Sequence, residues 1–308
     1  MAAPLIAIVG PTGAGKSALA LRLAQEAGGE IVSCDSLQVY RGLDIGSAKA
    51  TVEERRLVPH HLLDVVDPDQ DFSAAQYARQ ARAALADIAS RGRLSVVAGG
   101  TGIYLRALFQ GLFEGPPREE ALRARFEGMA RRFGDGRLHR LLQRVDAPAA
   151  RRIAVRDRVR VVRALEVYWT TGRPITDHHR AGREPLTGFR TLRVGLFPGR
   201  PVLRAALVER TSAMFDRGLL GEVRDLLARG YSPDLRPLRA IGYRQAVAVV
   251  RGQMTREAAE RDMVTATLRF AKRQMTWFRQ EADVVWCADT GAAERVVREW
   301  WQGPSASS

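Results

Sequence analysis

Gly10-Pro11-Thr12-Gly13-Ala14-Gly15-Lys16-Ser17 decides the reading of this chain. It is a complete GxxxxGK[ST] string. The apolar run from Leu5 to Val9 precedes it, and a helix-forming stretch from about Lys16 to Ala27 follows. Glycines let consecutive backbone N–H groups wrap a diphosphate, the helix start favours negative charge, and Lys16 neutralises phosphate oxygens. Ser17 would hold Mg²⁺. The whole string, Gly10 to Ser17, is therefore expected to bind a diphosphate.

Working outward, Glu30–Ser33, Leu62–Val66 and Leu94–Ala98 read as further strands. Ser73 is the expected N-cap of a helix running to Ser90, with Gly92 beyond its end. Gly99-Gly100-Thr101-Gly102 leads into another helix through Leu108. Strands alternating with helices predict a parallel sheet covered on both faces. After Gly115-Pro116-Pro117 the pattern turns helical and arginine-dense, broken near Asp146-Ala147-Pro148, and the next strand is Leu192–Phe197. Helices at about 201–229, 242–251 and 255–280 and a short strand at Val284–Trp286 complete the pattern. The fold expected is a P-loop NTPase-like α/β core with a parallel sheet, formed by 1–113 and 190–308, carrying an inserted helical domain at 114–189. The tail Gly303–Ser308 is expected to be disordered.

Composition narrows the function. Of 308 residues, 46% are hydrophobic and 27% charged, which excludes disorder throughout. No apolar run approaches the roughly 18 residues needed to cross a bilayer, and Leu5–Val9 lacks the flanks of a signal peptide. Cys34 and Cys287 are too few for a disulfide framework or a zinc cluster and fit a reducing cytoplasm. The net charge is +14, unevenly spread: residues 1–113 carry 11 basic and 11 acidic side chains, whereas 114–189 carry 17 and 10. A neutral N-terminal third beside basic segments suggests a chemical core next to a polyanion-binding surface. An arginine-rich proteome would give the same excess. Among 48 basic residues only Lys16, Lys49 and Lys272 are lysine, which marks positions where a compact ammonium is needed.

A kinase of this type places an aspartate at the end of an apolar strand to help hold Mg²⁺. Leu94–Ala98 ends instead in Gly99-Gly100-Thr101. Asp35, where the second strand leaves the sheet, lies at the carboxyl edge where ligands bind in such folds. It can serve as a proton acceptor or simply as a turn-forming residue.

Asp35-Ser36-Leu37-Gln38-Val39-Tyr40, continued by Asp44, Gly46 and Lys49, resembles the signature of the tRNA dimethylallyltransferases. So do Pro59-His60-His61-Leu62, Gly99-Gly100-Thr101-Gly102-Ile103-Tyr104 and Val161-Val162-Arg163-Ala164-Leu165-Glu166. Arg239-Ala240-Ile241-Gly242-Tyr243-Arg244-Gln245 and Lys272-Arg273-Gln274-Met275-Thr276-Trp277-Phe278-Arg279 extend the match, in the family's order, to about residue 287. The departures are mild: Ser17 and Ser47 each stand where the family frequently has Thr, and both keep a hydroxyl.

The resemblance implies transfer of a dimethylallyl group from dimethylallyl diphosphate to N6 of the adenosine 3′ to the anticodon (adenosine-37). The P-loop then grips a prenyl diphosphate instead of ATP, with Mg²⁺ as cofactor. It implies that Asp35 takes the N6 proton and that Thr101 and Arg217 contact the leaving diphosphate. For tRNA contact it points to Asp35, Ser36, Leu37, Gln38, Thr101, Arg123, Arg158 and Arg163. In the C-terminal third it adds Arg239, Gly242, Tyr243, Arg244, Lys272, Arg273, Gln274, Trp277 and Arg279. The partners implied are the anticodon stem-loop and the prenyl diphosphate, with no membrane, for a cytoplasmic monomer. Three other readings stay open: an adenylate isopentenyltransferase, a P-loop small-molecule kinase and a non-catalytic RNA-binding protein. The pairs His60-His61 and His178-His179 lack carboxylate or thiol partners at ligand spacing, so a structural or RNA-contacting role is expected. Trp277-Phe278 can stack on a base or pack in the core.

Overall fold

The computed structural model describes residues 2–112, 115–181, 184–281 and 283–302. The expected disorder of Gly303–Ser308, and the expected boundary between 113 and 114, lie outside them. Six parallel strands form one sheet in the order β3-β2-β4-β1-β5-β6. They are β1 (Ala3–Val9), β2 (Glu30–Ser33), β3 (His60–His61), β4 (Ser95–Ala98), β5 (Phe189–Leu196) and β6 (Val284–Cys287). Leu5 to Val9 are fully buried, as expected of a strand flanked on both edges and covered on both faces. Parallel register aligns Ile8 with Ala98, Ser33 with Ala98 and Val9 with Gly195. The loops leaving β1, β2 and β4 therefore emerge at one edge, beside the point where the chain order reverses around β1.

Helices α1 (Lys16–Glu26), α2 (Val52–Leu57) and α3 (Ala74–Ser90) belong to the first half of the sheet unit, which ends at Leu108 within α4 (Gly102–Gln110). Leu19 and Leu23 of α1 pack with Ile6, Ile8, Ile31 and Val96 in its core. Ser73 caps α3 in a full capping box with Gln76. The expected strand at Leu62–Val66 does not form: Leu62 and Asp64 adopt left-handed φ of 63° and 56°, and pairing is confined to His60–His61 and one bridge, Tyr40 with Val66. Helix α2 was not legible from apolar periodicity, because none of its residues is buried; a Thr51–Glu54 capping box starts it.

A second unit, Phe109–Pro185, contains α5 (Glu120–Phe133), α6 (Asp135–Val145), α7 (Ala147–Arg152), α8 (Arg158–Thr171) and α9 (Ile175–Ala181). It has its own core, including Phe126, Leu138, Leu142, Val161 and Leu165. The sheet unit resumes at Leu186 and carries α10 (Arg200–Asp216), α11 (Leu219–Ala228), α12 (Tyr243–Val250), α13 (Arg256–Phe278) and α14 (Thr290–Gln302). The single helix expected over 201–229 is two, separated where Gly218 takes φ 100°. Among the described residues no helix is long and apolar enough to cross a membrane.

Candidate active site

Three loops meet at the carboxyl edge. In the first, Gly10, Gly13 and Gly15 all have positive φ, at 138°, 83° and 87°. A Cβ on Gly10 would stand 2.4 Å from the Leu196 carbonyl oxygen, so only glycine fits between β1 and β5. Gly15 caps α1 without a side-chain hydrogen bond, leaving the first N–H groups of the helix directed at the loop. Lys16 folds back, its Nζ donating to the Pro11 carbonyl at 2.7 Å.

The second loop, after β2, carries Asp35. Its Oδ1 accepts from the Leu37 N–H at 2.8 Å, so the turn-forming role is present. Oδ2 carries no hydrogen bond among the described residues, so a proton-accepting oxygen remains as well. The third loop, after β4, presses against the second. A Cβ on Gly99 would fall 2.1 Å from the Cys34 carbonyl oxygen. Thr101 Oγ1 accepts from the Ser36 N–H at 3.0 Å, which places its hydroxyl beside Asp35.

Three cations surround these loops, and one of them was not found from the sequence. Lys16 has its pKa lowered to about 8 by burial and by the Arg210 charge, with Asp35 pulling the other way. Arg210, on α10, is half-buried and makes no hydrogen bond or ion pair among the described residues. Burial lowers its pKa, Asp35 raises it and Arg217 lowers it further, which ties these groups into one electrostatic cluster. Arg217, the arginine expected to contact the leaving group, is exposed at the end of α10, its Nε donating to the Ala213 carbonyl at 3.3 Å. It stands at the rim of a cavity of about 200 Å³ shared with Ser17, Ser33, Ala98 and Lys49. The inner position belongs to Arg210. Nothing in the sequence distinguishes Arg210 from its many neighbours; its two turns of separation from Arg217 on one helix are the only trace.

Several residues expected at a tRNA surface are interior supports. Gln274 is buried and spans two loops, accepting from the Thr12 N–H at 3.0 Å and donating to the Gly100 carbonyl at 2.8 Å. Tyr243 is fully buried, its hydroxyl donating to Glu222 at 2.7 Å, and Gly242 is buried beside it with φ 97°. Gln38 accepts from Ser33 Oγ and donates to the Ser47 and Ala48 carbonyls. Lys49 is buried as well, bonded to Asp44 at 2.5 Å and Asp64 at 2.7 Å, so its compact ammonium serves the fold. Arg239, Arg244, Lys272, Arg273 and Arg279 are exposed, while Ser36 and Leu37 are half-buried. The Trp277 ring lies over Gly102, where a Cβ would be 2.4 Å away, and the Arg106 guanidinium sits 4.8 Å from its centroid. This packing leaves Trp277 half-buried.

In the helical unit the buried Glu166 carboxylate takes a two-point contact from Arg123, with both bonds at 2.8 Å, and another bond from Arg163 at 2.8 Å. Burial by itself would raise the Glu166 pKa; Arg123, Arg163 and the Glu119 N–H outweigh it and hold it at about 2. Arg158 pairs with Asp135 at 2.7 Å. The histidines serve structure: His60 bonds the Val58 carbonyl, His61 bonds Glu30 and His178 bonds Thr171. Among the described residues no cluster of three His, Cys, Asp or Glu side chains could hold a metal. Cys34 is buried, and its thiol is pushed up to about 12 chiefly by that burial, so it is not a nucleophile at neutral pH.

The chain is similar to known proteins along most of its length. A model of the family described as IPP transferase matches residues 38–281. A tRNA dimethylallyltransferase of Solibacter usitatus is 49% identical over 95% of both chains. One from Koribacter versatilis is 48% identical over 97% of both. A tRNA isopentenylpyrophosphate transferase from Bacillus halodurans superposes with a TM-score of 0.69 at 36% identity, covering 97% of this chain and 96% of that one. A eukaryotic dimethylallyltransferase acting on tRNA gives 0.80 at 26% identity, covering 96% and 78%.

Proposed function

The chain belongs to the IPP transferase family, and we propose that it moves a dimethylallyl group from dimethylallyl diphosphate to N6 of adenosine-37 in tRNA, releasing diphosphate. The observation that carries this reading is the cluster itself. Lys16 in the glycine loop and Arg210 both feel the Asp35 charge, and Arg210 also feels Arg217. Arg217 lines one cavity with Ser17, and Asp35 keeps one carboxylate oxygen free of hydrogen bonds among the described residues. Such a site answers an anionic leaving group and a proton-shedding nucleophile together.

In the transfer, the N6 lone pair forms a bond to C1 of the prenyl group as the C1–O bond breaks. The bonding pair leaves on the diphosphate, and the N6 proton passes to Asp35 Oδ2. An adenine amine is a weak nucleophile, because its lone pair is delocalised into the ring. A carboxylate hydrogen-bonded to N6–H offsets that weakness by about 10²–10⁴ in rate. Lys16 and Arg210 balance the charge that grows on the departing diphosphate, with Arg217 at the rim. The Thr101 hydroxyl can turn from Ser36 toward the leaving oxygen.

The residues present fit Mg²⁺ in one mode. Mg²⁺ keeps several waters and binds through one or two protein oxygens plus phosphate. Ser17 is exposed and lines the cavity, and among the described residues no group of three metal-ligating side chains stands in its place. Ser17 would hold the ion, which supplies charge neutralisation to the diphosphate.

For tRNA, the exposed side chains of Arg239, Arg244, Lys272, Arg273 and Arg279 are the candidate phosphate contacts of the sheet unit. Arg123, Arg158 and Arg163 are those of the helical unit. The flipped adenine leaves an already single-stranded loop, which makes the extrusion cheap. This reading places the enzyme in the cytoplasm, acting as a monomer on the anticodon stem-loop.

The test is incubation with dimethylallyl diphosphate and an anticodon stem-loop, followed by mass spectrometry of the nucleosides. A dimethylallyl adduct at adenosine-37, with AMP modified far less well, is the expected result. Equal efficiency on AMP overturns the tRNA assignment.

A further inference from the structure

Glu222 sits in the first turn of α11 and collects four donors on one carboxylate. Its Oε2 accepts from the backbone N–H groups of Asp44 at 2.9 Å and Ile45 at 2.7 Å. Its Oε1 accepts from the Gly46 N–H at 3.2 Å and the Tyr243 hydroxyl at 2.7 Å. The knuckle it grips has no slack: a Cβ on Gly46 would stand 2.6 Å from the Tyr243 ring. Glu222 ends the 214–222 stretch that carries Arg217 and shares the family resemblance, but the resemblance gives it no role and the catalytic chemistry above does not use it.

Two chains of contact meet at it. On one side, the gripped turn continues into Ser47 and Ala48, whose carbonyls hold the Gln38 amide, and Gln38 in turn accepts from Ser33 Oγ. Ser33 ends β2, two residues before Asp35. On the other side, Glu222 lies one turn beyond Gly218, at the join of α11 to the helix that carries Arg210 and Arg217. The carboxylate thus joins the segment presenting the base to the helices presenting the leaving-group cations.

We infer that Glu222 is a positioning residue for prenyl transfer: its grip on residues 44–46 fixes Asp35 in register with Arg210. The inference rests on the function proposed above. A carboxylate is the group this place requires, because it accepts up to four hydrogen bonds and donates none. Glutamine would turn an NH₂ group toward N–H or O–H donors on one side. Displacements on the order of 1 Å at a reacting centre cost about 10²-fold in rate even when the change is remote.

The experiment compares wild type with Glu222→Gln and Tyr243→Phe in single-turnover transfer at saturating dimethylallyl diphosphate and stem-loop. Each is assayed well below its own melting temperature, with the Kd for dimethylallyl diphosphate and amide exchange at 44–46 measured in parallel. Glu222→Gln is expected to slow transfer by roughly ten- to a hundredfold, with exchange at 44–46 accelerated and Kd within twofold of wild type. Tyr243→Phe, which removes one donor of four, is expected to slow it less than threefold, scaled from the same figure. A merely structural role predicts lower melting with the saturated rate intact. Faster exchange with an unchanged rate therefore overturns the inference, and so does a rate loss matched by an equal loss in Kd. Should Glu222→Gln not fold, Glu222→Asp is put to the same rate–Kd comparison, with the same outcomes deciding. Absence of transfer by the wild type would overturn the proposed function instead.

Discussion

With Lys16 against the phosphates, as proposed, diphosphate binding is expected to take up a proton, and the size of the effect follows from the lysine's surroundings. Burial and the Arg210 charge lower its pKa from 10.5 to about 8 in the ligand-free protein. A bound diphosphate places negative charge against the ammonium and raises that pKa again. Below pH 8 the lysine is charged in both states and affinity is flat. Above pH 8 binding must first restore the proton, so affinity falls by about tenfold, or about 1.4 kcal/mol, per pH unit. The terminal phosphate loses its own last proton near about pH 6 and adds nothing in this window. Calorimetry of dimethylallyl diphosphate without RNA, in buffers of different ionisation enthalpy, reads the uptake directly. With a free-state pKa of about 8, the uptake expected from that mass balance is about half a proton at pH 8 and nearly one at pH 9.

The same displacement has a sign in stability. The unfolded chain keeps the Lys16 proton up to pH 10.5 and the folded chain only to about 8. The unfolded state binds more protons in that window, so ligand-free stability rises with pH from about 8 to 10.5. Below pH 8 the buried charge costs at most about 3 kcal/mol, less after screening because Lys16 is only half-buried. Lys16→Met is thus expected to raise the melting temperature of the free protein at pH 7 while abolishing the gain from dimethylallyl diphosphate. A flat Kd between pH 7 and 9 in the wild type, with no proton uptake at pH 8, would refute the placement of Lys16 against the phosphates.

Other substitutions separate the remaining roles. Asp35→Asn keeps the turn but removes the proton acceptor, and single-turnover transfer should fall by roughly 10²–10⁴ with both substrates still bound. Arg210→Gln should weaken diphosphate binding by about 1.5–3 kcal/mol, the worth of a hydrogen bond to a charged group, measured by titration. Arg217→Gln, at the exposed rim, should cost less than tenfold in the same assay, within the range of surface ion pairs. Glu166→Gln should destabilise the helical unit by about 3 kcal/mol, because it leaves two arginines facing a neutral amide in the interior. With a pKa of about 2 against 4.5 unfolded, the Glu166 carboxylate stabilises above pH 4.5 and that contribution fades as pH falls toward 2, which thermal melts across that range would show.

The glycine loop between β1 and α1 was legible because the pattern that shapes it is local. In such a motif eight consecutive residues are shaped to curl around one anion, so glycine, lysine and a hydroxyl recur at fixed spacing. Buried strands were legible as apolar runs for the same local reason. Leu62–Val66 shows the limit: its composition suits a strand, but Leu62 and Asp64 turn left-handed so that Asp64 can meet Lys49 and Arg55. Those partners lie nine and fifteen residues away, beyond any periodicity.

Motif matching fails in a different way. It finds that an identity is required without saying what requires it. Gln274 and Tyr243 stand in segments resembling a tRNA-modifying family, and both turn out to serve the protein interior, one spanning two loops and the other backing a carboxylate. Arg210 is the converse. Its guanidinium has no partner among the described residues, yet it stands close enough to feel the charges of Asp35 and Arg217. A half-buried cation with no hydrogen-bonding partner is costly to fold, and the anionic leaving group proposed above would offset that cost. That inference needs the spatial meeting of positions 35 and 210, which no local reading of the chain supplies.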